Sequence, residues 1–380
     1  MNPIDAVTHA DPYPYYAELV AERPLAFDES LGLWVAAGAA QVTDVLRAPG
    51  LRVRPPGQPV PPGITGTAAG RVFGSLVRMN DGEAHTRLKS VVTAALTQAD
   101  PATARGLAES AVKSDLDGGP PDLGALMFTV PVRVVAGLCG LTEREAAEAA
   151  ALTGDFVKCL RPDADTGQLR AADAAAERLT ALLPPEPRPG GGLLTALVRA
   201  AGEAVMPPPG AVSGNAVGLL SQTYDATAGL IGNTLLALAR EGGRPRPLEP
   251  FVREVARHDA PIQNTRRFAA EPTRCGTAEI EPGQAVLVVL AAANRDPAVN
   301  PDPHTFVADR PAATVFTFGA AAHRCPGQDL ATAIAAGAVG ALLDHGFDPS
   351  ADVPRTAAYR PSPNARIPDF SRVVDRAHGT

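Results

Sequence analysis

The stretch FTFGAAAHRCPGQDLA, residues 316–331, places one cysteine in unusual surroundings. Small residues at 319–322 let the main chain pass close to a neighbour, and Cys325 stands directly before Pro326, a residue suited to the first turn of a helix. A helix after Pro326 points its N-terminal amides toward the sulfur. Those amides, with Arg324 and His323 beside them, favour thiolate over thiol, which is the form a metal ligand takes. The other cysteines, at 139, 159 and 275, are far apart in the chain. No CxxC or zinc-type cluster exists, so neither a disulfide scaffold nor a zinc finger is expected, and a reducing compartment is. A thiol that acts here acts alone.

The 380 residues are 45% hydrophobic and 20% charged, the composition of a globular chain with a sizeable core. The 34 basic and 41 acidic residues leave a net charge of −7, which excludes a globally basic nucleic-acid binder. The N-terminus lacks the basic and apolar regions of a secretory signal, and no run of about 18 residues is continuously apolar. A cytoplasmic protein with no membrane span is the expectation. Helical spacing of apolar residues recurs at 102–115, 142–160, 167–183, 192–204, 213–240 and 327–345. Short β-branched runs at 33–36 and 285–289 predict strands, and proline clusters at 55–62, 184–189 and 207–209 predict loops. Mainly α architecture with small peripheral β-sheets follows. The Pro/Gly segment 182–192 is read as a loop, since helical pattern resumes at once and no shift in composition separates the halves.

Residues 316–331 resemble the haem-binding loop of the cytochrome P-450 family, Phe-Gly-x-Gly-x-His-x-Cys-x-Gly. Phe318, Gly319, His323, Cys325 and Gly327 match, and Ala321 replaces the second glycine. The resemblance implies haem b with Cys325 as proximal thiolate, and His323 reaching a haem propionate. Glu254 and Arg257 in FVREVARHDAP share a helix face at i, i+3. By resemblance they are the family's structural pair, completed by Arg310. Arg267 in TRRFAAEP matches the propionate-binding arginine, with Arg266 beside it as the alternative. DGEAHTRLKSVV (81–92) is similar to the His-x-x-x-Arg helix, with His85 in place and Lys89 where arginine is usual, which keeps the charge but loses the bidentate fork. ADPYPYYAEL (10–19) and AANRDP (292–297) extend the likeness over essentially the whole chain, implying a single haem domain, 1–380.

From Ser213 to Ala239 the only charged residue is Asp225. A helix so neutral is expected to be central and largely buried, and a buried carboxylate is expensive unless it is used. In the resembling family this helix crosses the distal haem face with a small-Gly-x-acid-Thr segment that delivers protons to bound oxygen. Here the run is Gln222-Thr223-Tyr224-Asp225-Ala226-Thr227. The acid is kept and the alcohol is lost at Ala226. Thr227 lies about 100° further round, and Thr223 lies one turn earlier on roughly the same face.

The resemblance implies a monooxygenase that hydroxylates or epoxidises a small organic molecule, with protons relayed by Asp225, Thr223, Gln222 or the substrate itself. The alternative is an oxidase that couples groups or closes rings through radicals without inserting oxygen. A catalytically silent helper of the same fold is disfavoured by the retained ligand and propionate residues. Electrons are expected from a ferredoxin and its reductase, docking near Arg324. The substrate, free or tethered to a carrier protein, is expected to belong to specialised metabolism. Segments 55–78 and 155–170 are expected to cover its pocket.

Overall fold

The computed structural model describes residues 1–119, 122–161, 163–204 and 210–371. The proline cluster at 207–209 lies outside the described residues. Helices Pro101–Leu116, Glu143–Phe156, Thr166–Leu182, Leu193–Glu203, Ala211–Glu241 and Gln328–Asp344 fall where apolar periodicity placed them. Their starts are set by local chemistry. Asp100 accepts from the amides of Ala102 and Thr103 ahead of Pro101, while Thr142/Glu145 and Asp165/Gln168 form reciprocal capping boxes. Glu143–Phe156 stops short of the expected 160 because a 3-10 turn, Val157–Leu160, takes over.

Helix Leu123–Leu138 is apolar almost all round, contains Pro131, and packs between the Ala211–Glu241 and Glu143–Phe156 helices. Its lack of a polar stripe is the mark of a buried helix. The 182–192 segment is a packed loop. Arg188 pins it by donating to the carbonyls of Leu182 (2.9 Å) and Gly140 (3.2 Å) and pairing with Glu145 (3.2 Å).

Among the described residues, seven short strands form two sheets beside the helical body: β1 Leu25–Asp28, β2 Leu33–Ala36, β3 Leu51–Arg52, β4 Thr265–Ala269, β5 Thr273–Cys275, β6 Ala278–Ile280 and β7 Ala285–Val288. The larger sheet runs β1-β2-β7-β4-β3, with β2 and β7 parallel and the other pairs antiparallel. β5 and β6 form a separate ladder. Register on β4 decides between two neighbouring arginines, because successive side chains point to opposite faces: Arg266 is exposed and Arg267 is buried. No described helix is long and apolar enough to cross a membrane.

Candidate active site

Cys325 sits in a loop built from two 3-10 turns, Phe316–Phe318 and Ala321–His323. The loop is tied down on its N-terminal side. The Phe316 amide donates to Asn294 Oδ1 (2.6 Å), and the Thr317 hydroxyl donates to the Ala256 carbonyl (2.5 Å). The Cys325 amide closes the turn onto the half-buried Phe318 through its carbonyl, at 2.7 Å. Gly319 takes a φ of 70° that favours glycine, and Ala321 takes 53°, so the alanine at the second glycine position carries left-handed backbone strain.

All four cysteines are free; Cys325 is half-buried and the other three are buried. Burial pushes Cys139 up to about 12 and Cys159 to about 11, leaving both inert thiols. Burial also raises Cys325, against the Gly327 amide, Lys89 and Arg324. This corrects the expectation that the loop itself favours thiolate. Pro326 lies in a turn, and the helix begins only at Gln328, with Gly327 as its N-cap. Two residues of separation weaken the pull of the helix terminus, and a metal ion bound at Cys325 would favour the thiolate.

Beside the loop, His323 and His85 lie ring to ring, centroids 4.0 Å apart. His323 Nε2 is 3.5 Å from Asp81, whose carboxylate also accepts from the Val53 amide (3.1 Å). Burial, then the neighbouring charges of His323 and Lys89, pulls His85 down to about 4 and keeps it neutral. Lys89 donates to the Arg324 carbonyl, fastening helix Gly82–Leu96 to the cysteine loop. It therefore contributes a backbone tie as well as a charge. Arg267 is buried, donates to the Arg266 carbonyl (2.8 Å), and has no carboxylate within 4.0 Å among the described residues.

Behind the loop, Glu254 and Arg257 form a two-pronged pair at 2.8 and 2.6 Å, and Arg310 joins Glu254 at 3.2 Å. Arg257 also donates to the carbonyls of Asn294, Pro303 and Thr305. Burial would raise Glu254, but these arginines and the Val307 amide hold it below the usual range.

The Ala211–Glu241 helix is buried towards both ends and opens in the middle. Gln222, Thr223, Tyr224 and Ala226 are half-buried, and Asp225 is exposed, which corrects the expectation of a buried carboxylate. Protein surrounds Asp225 closely enough that burial still lifts it above the ordinary aspartate value, with Arg161, Arg360 and Arg78 pulling the other way. Thr223 and the buried Thr227 hydrogen-bond each other at 2.9 Å, and Gln222 donates back to the Gly218 carbonyl (3.0 Å). Arg78 and Asp81 carried little sequence signal. Arg78 is one cation in an apolar run, and Asp81 reads as an ordinary helix start.

These residues fit an iron porphyrin. Cys325 is a free, half-buried thiol on an anchored loop, and among the described residues no cluster of three or more His, Cys, Asp or Glu offers a competing metal site. The buried Arg267 guanidinium and the His85/His323 pair supply partners for a pair of carboxylates.

A profile of the cytochrome P-450 family matches residues 247–347, which include the Glu254/Arg257 pair and the cysteine loop. The cytochrome P-450 monooxygenase PikC of Streptomyces venezuelae is 31% identical over 94% of this chain and 89% of its own. Among solved structures, epothilone B-bound P450epoK superposes with a TM-score of 0.82 at 20% identity, covering 97% of this chain and 98% of that one. P450BioI in complex with a fatty-acyl carrier protein gives 0.76 at 22% identity, covering 94% and 96%. Full-length likeness to PikC, with the same helical fold and a free thiol on the matching loop, places this chain in the cytochrome P-450 family, the haem-thiolate monooxygenases.

Proposed function

We propose that the chain, as one haem domain, hydroxylates or epoxidises a small organic substrate of specialised metabolism, with Cys325 as the iron ligand. The observation that carries this reading is the free, half-buried Cys325 on an anchored loop, next to Arg267 and the His85/His323 pair. Arg267, His85 and His323 hold the propionates, with Lys89 securing the helix that bears His85. Phe318 and Gly327 shape the turn on either side of the ligand, and Glu254, Arg257 and Arg310 brace it from behind. Thiolate-ligated haem supplies the activation of O2, with two electrons and two protons, so that one oxygen atom enters the substrate and the other leaves as water.

The chain's own task on the distal side is to move protons. Asp225, with its raised pKa, takes up and releases a proton nearer neutral pH than an ordinary aspartate does. Thr223 and Thr227, already bonded to each other, hold water where Ala226 has no hydroxyl to offer. Gln222 braces the helix through the Gly218 carbonyl. Electrons come from a ferredoxin docked near Arg324. The likeness to P450BioI, solved with an acyl carrier protein, supports a carrier-bound substrate as readily as a free one.

The test is spectral and isotopic. The reduced carbon monoxide complex should show the red-shifted Soret band of thiolate ligation, and Cys325→Ala should lose it. Product made under 18O2 should carry the label; unlabelled, coupled product would replace this reading with radical coupling.

A further inference from the structure

Two fully buried arginines of the scaffold, Arg257 and Arg366, are saturated. Arg366 pairs with Asp259 (2.9 Å) and donates to the carbonyls of Val7, His9 and Ala10, much as Arg257 does with Glu254. Arg78, half-buried, is not answered in this way. Its Nε is fully buried without a hydrogen-bond partner, and no carboxylate lies within 4.0 Å of it among the described residues. Burial draws the group down only to about 10, so it stays cationic near neutral pH. A buried N–H of a charged guanidinium left without an acceptor is costly, and a fold keeps one where something else completes it.

The position of Arg78 is enforced. Asn215 on the Ala211–Glu241 helix accepts from the Val77 amide (2.8 Å) and donates to the Ser75 carbonyl (2.9 Å), clamping the segment that carries Arg78. Gly214 and Gly218 permit the approach, since a Cβ there would meet Ser75 Oγ at 2.0 Å and Leu76 Cδ2 at 2.7 Å. Two turns beyond Gly218 stands Asp225, the one carboxylate that acts on Arg78. Arg78 is not among the charges acting on His85 or Arg267, so it belongs with the distal helix and not with the propionate partners.

Two further arginines act on Asp225. Arg161 is already paired with Asp163 at 3.0 Å. Arg360 has no carboxylate within 4.0 Å among the described residues and lies 4.7 Å over the Phe128 ring, itself 4.9 Å from the ring of Tyr224. Setting aside the Arg161/Asp163 pair, Arg78 and Arg360 face the single charge of Asp225, a surplus of one positive charge. A neutral carbonyl would satisfy the orphaned N–H but leave the charge; an anionic group does both.

We propose that Arg78 is a specificity residue that receives an anionic group, a carboxylate, of the substrate at the distal helix. This rests on the haem-thiolate reading above. The holoenzyme is titrated with straight-chain acids from octanoate to hexadecanoate, 1-naphthoate, and the methyl ester of each, following the Soret shift. Acids should bind about tenfold or more tightly than their esters. Arg78→Gln should bring the two within about twofold while Arg78→Lys keeps part of the preference. Asp225→Asn, by removing the opposing charge, should tighten acids by about threefold and leave esters unchanged. Equal binding of acid and ester by the native protein, no binding of any acid, or an undiminished preference in Arg78→Gln overturns the proposal. Absence of the thiolate-type carbon monoxide band in the same preparation would strike the haem reading instead, so the two failures are told apart.

Discussion

Arg257, fully buried, and Arg78, half-buried with its Nε sealed from solvent, are held under opposite conditions. Arg257 sits behind the cysteine loop with a two-pronged carboxylate and three backbone carbonyls around it, so its charge is answered from within the chain. Arg78 sits beside the distal helix with an orphaned Nε and only a distant, surface-accessible Asp225 to face. The proximal region is a finished scaffold, whose work is to hold a loop still. The distal region is left electrostatically open, which is how a surface looks when its partner is a substrate. Removing a charge should therefore have opposite consequences in the two places.

The largest effect is expected at Glu254. Glu254→Ala leaves Arg257 buried and unpaired, and should cost about 3–5 kcal/mol, read by denaturant unfolding and by haem content. A loss under 1 kcal/mol would break the comparison, because the scaffold would then not depend on its ion pair. Next comes acidification. His258, on the same helix, is drawn down to about 4 by burial and then by Arg295, from 6.5 when unfolded. The unfolded chain takes up its proton first, so stability falls as pH drops from about 6.5 to 4, by up to about 3 kcal/mol from this residue. His258→Gln should flatten that part of the stability profile.

A smaller gain is expected in the cysteine loop. Ala321→Gly relieves a left-handed backbone and should stabilise the folded protein by about 0.5–1 kcal/mol, after allowing for the greater freedom of glycine when unfolded. Thermal unfolding of the holoprotein checks it. The smallest change belongs to Arg78. Arg78→Met should leave stability within about 0.5 kcal/mol of native or raise it, since a half-buried cation with an orphaned Nε and no ion pair contributes little to the fold. A loss above about 2 kcal/mol would mean that Arg78 is scaffold after all, and the contrast with Arg257 would collapse.

Much of the proximal region was legible in the chain because its signals are local. Periodicity placed the long helices, Glu254 and Arg257 are three residues apart on one turn, and the glycines and proline around Cys325 mark its loop. The distal region was less legible because its partners are remote. Asn215 meets Ser75 and Val77 across about 140 positions, and Arg78 meets Asp225 across a similar span. The central helix was found with nearly the right ends, but its neutrality suggested a buried carboxylate where the packed helix opens. Arg266 and Arg267 were indistinguishable until the register of β4 turned one out and the other in.

The sequence by itself determined the elements, the family likeness and the identity of the acting thiol, since helix periodicity, capping and turn chemistry are set by residues within a few positions of each other. Only the tertiary structure decided how burial pushes on that thiol, the strain at Ala321, the choice of Arg267 and the orphaned Nε of Arg78. Each of these depends on desolvation and on charges brought together from distant parts of the chain, and both are properties of the packed molecule.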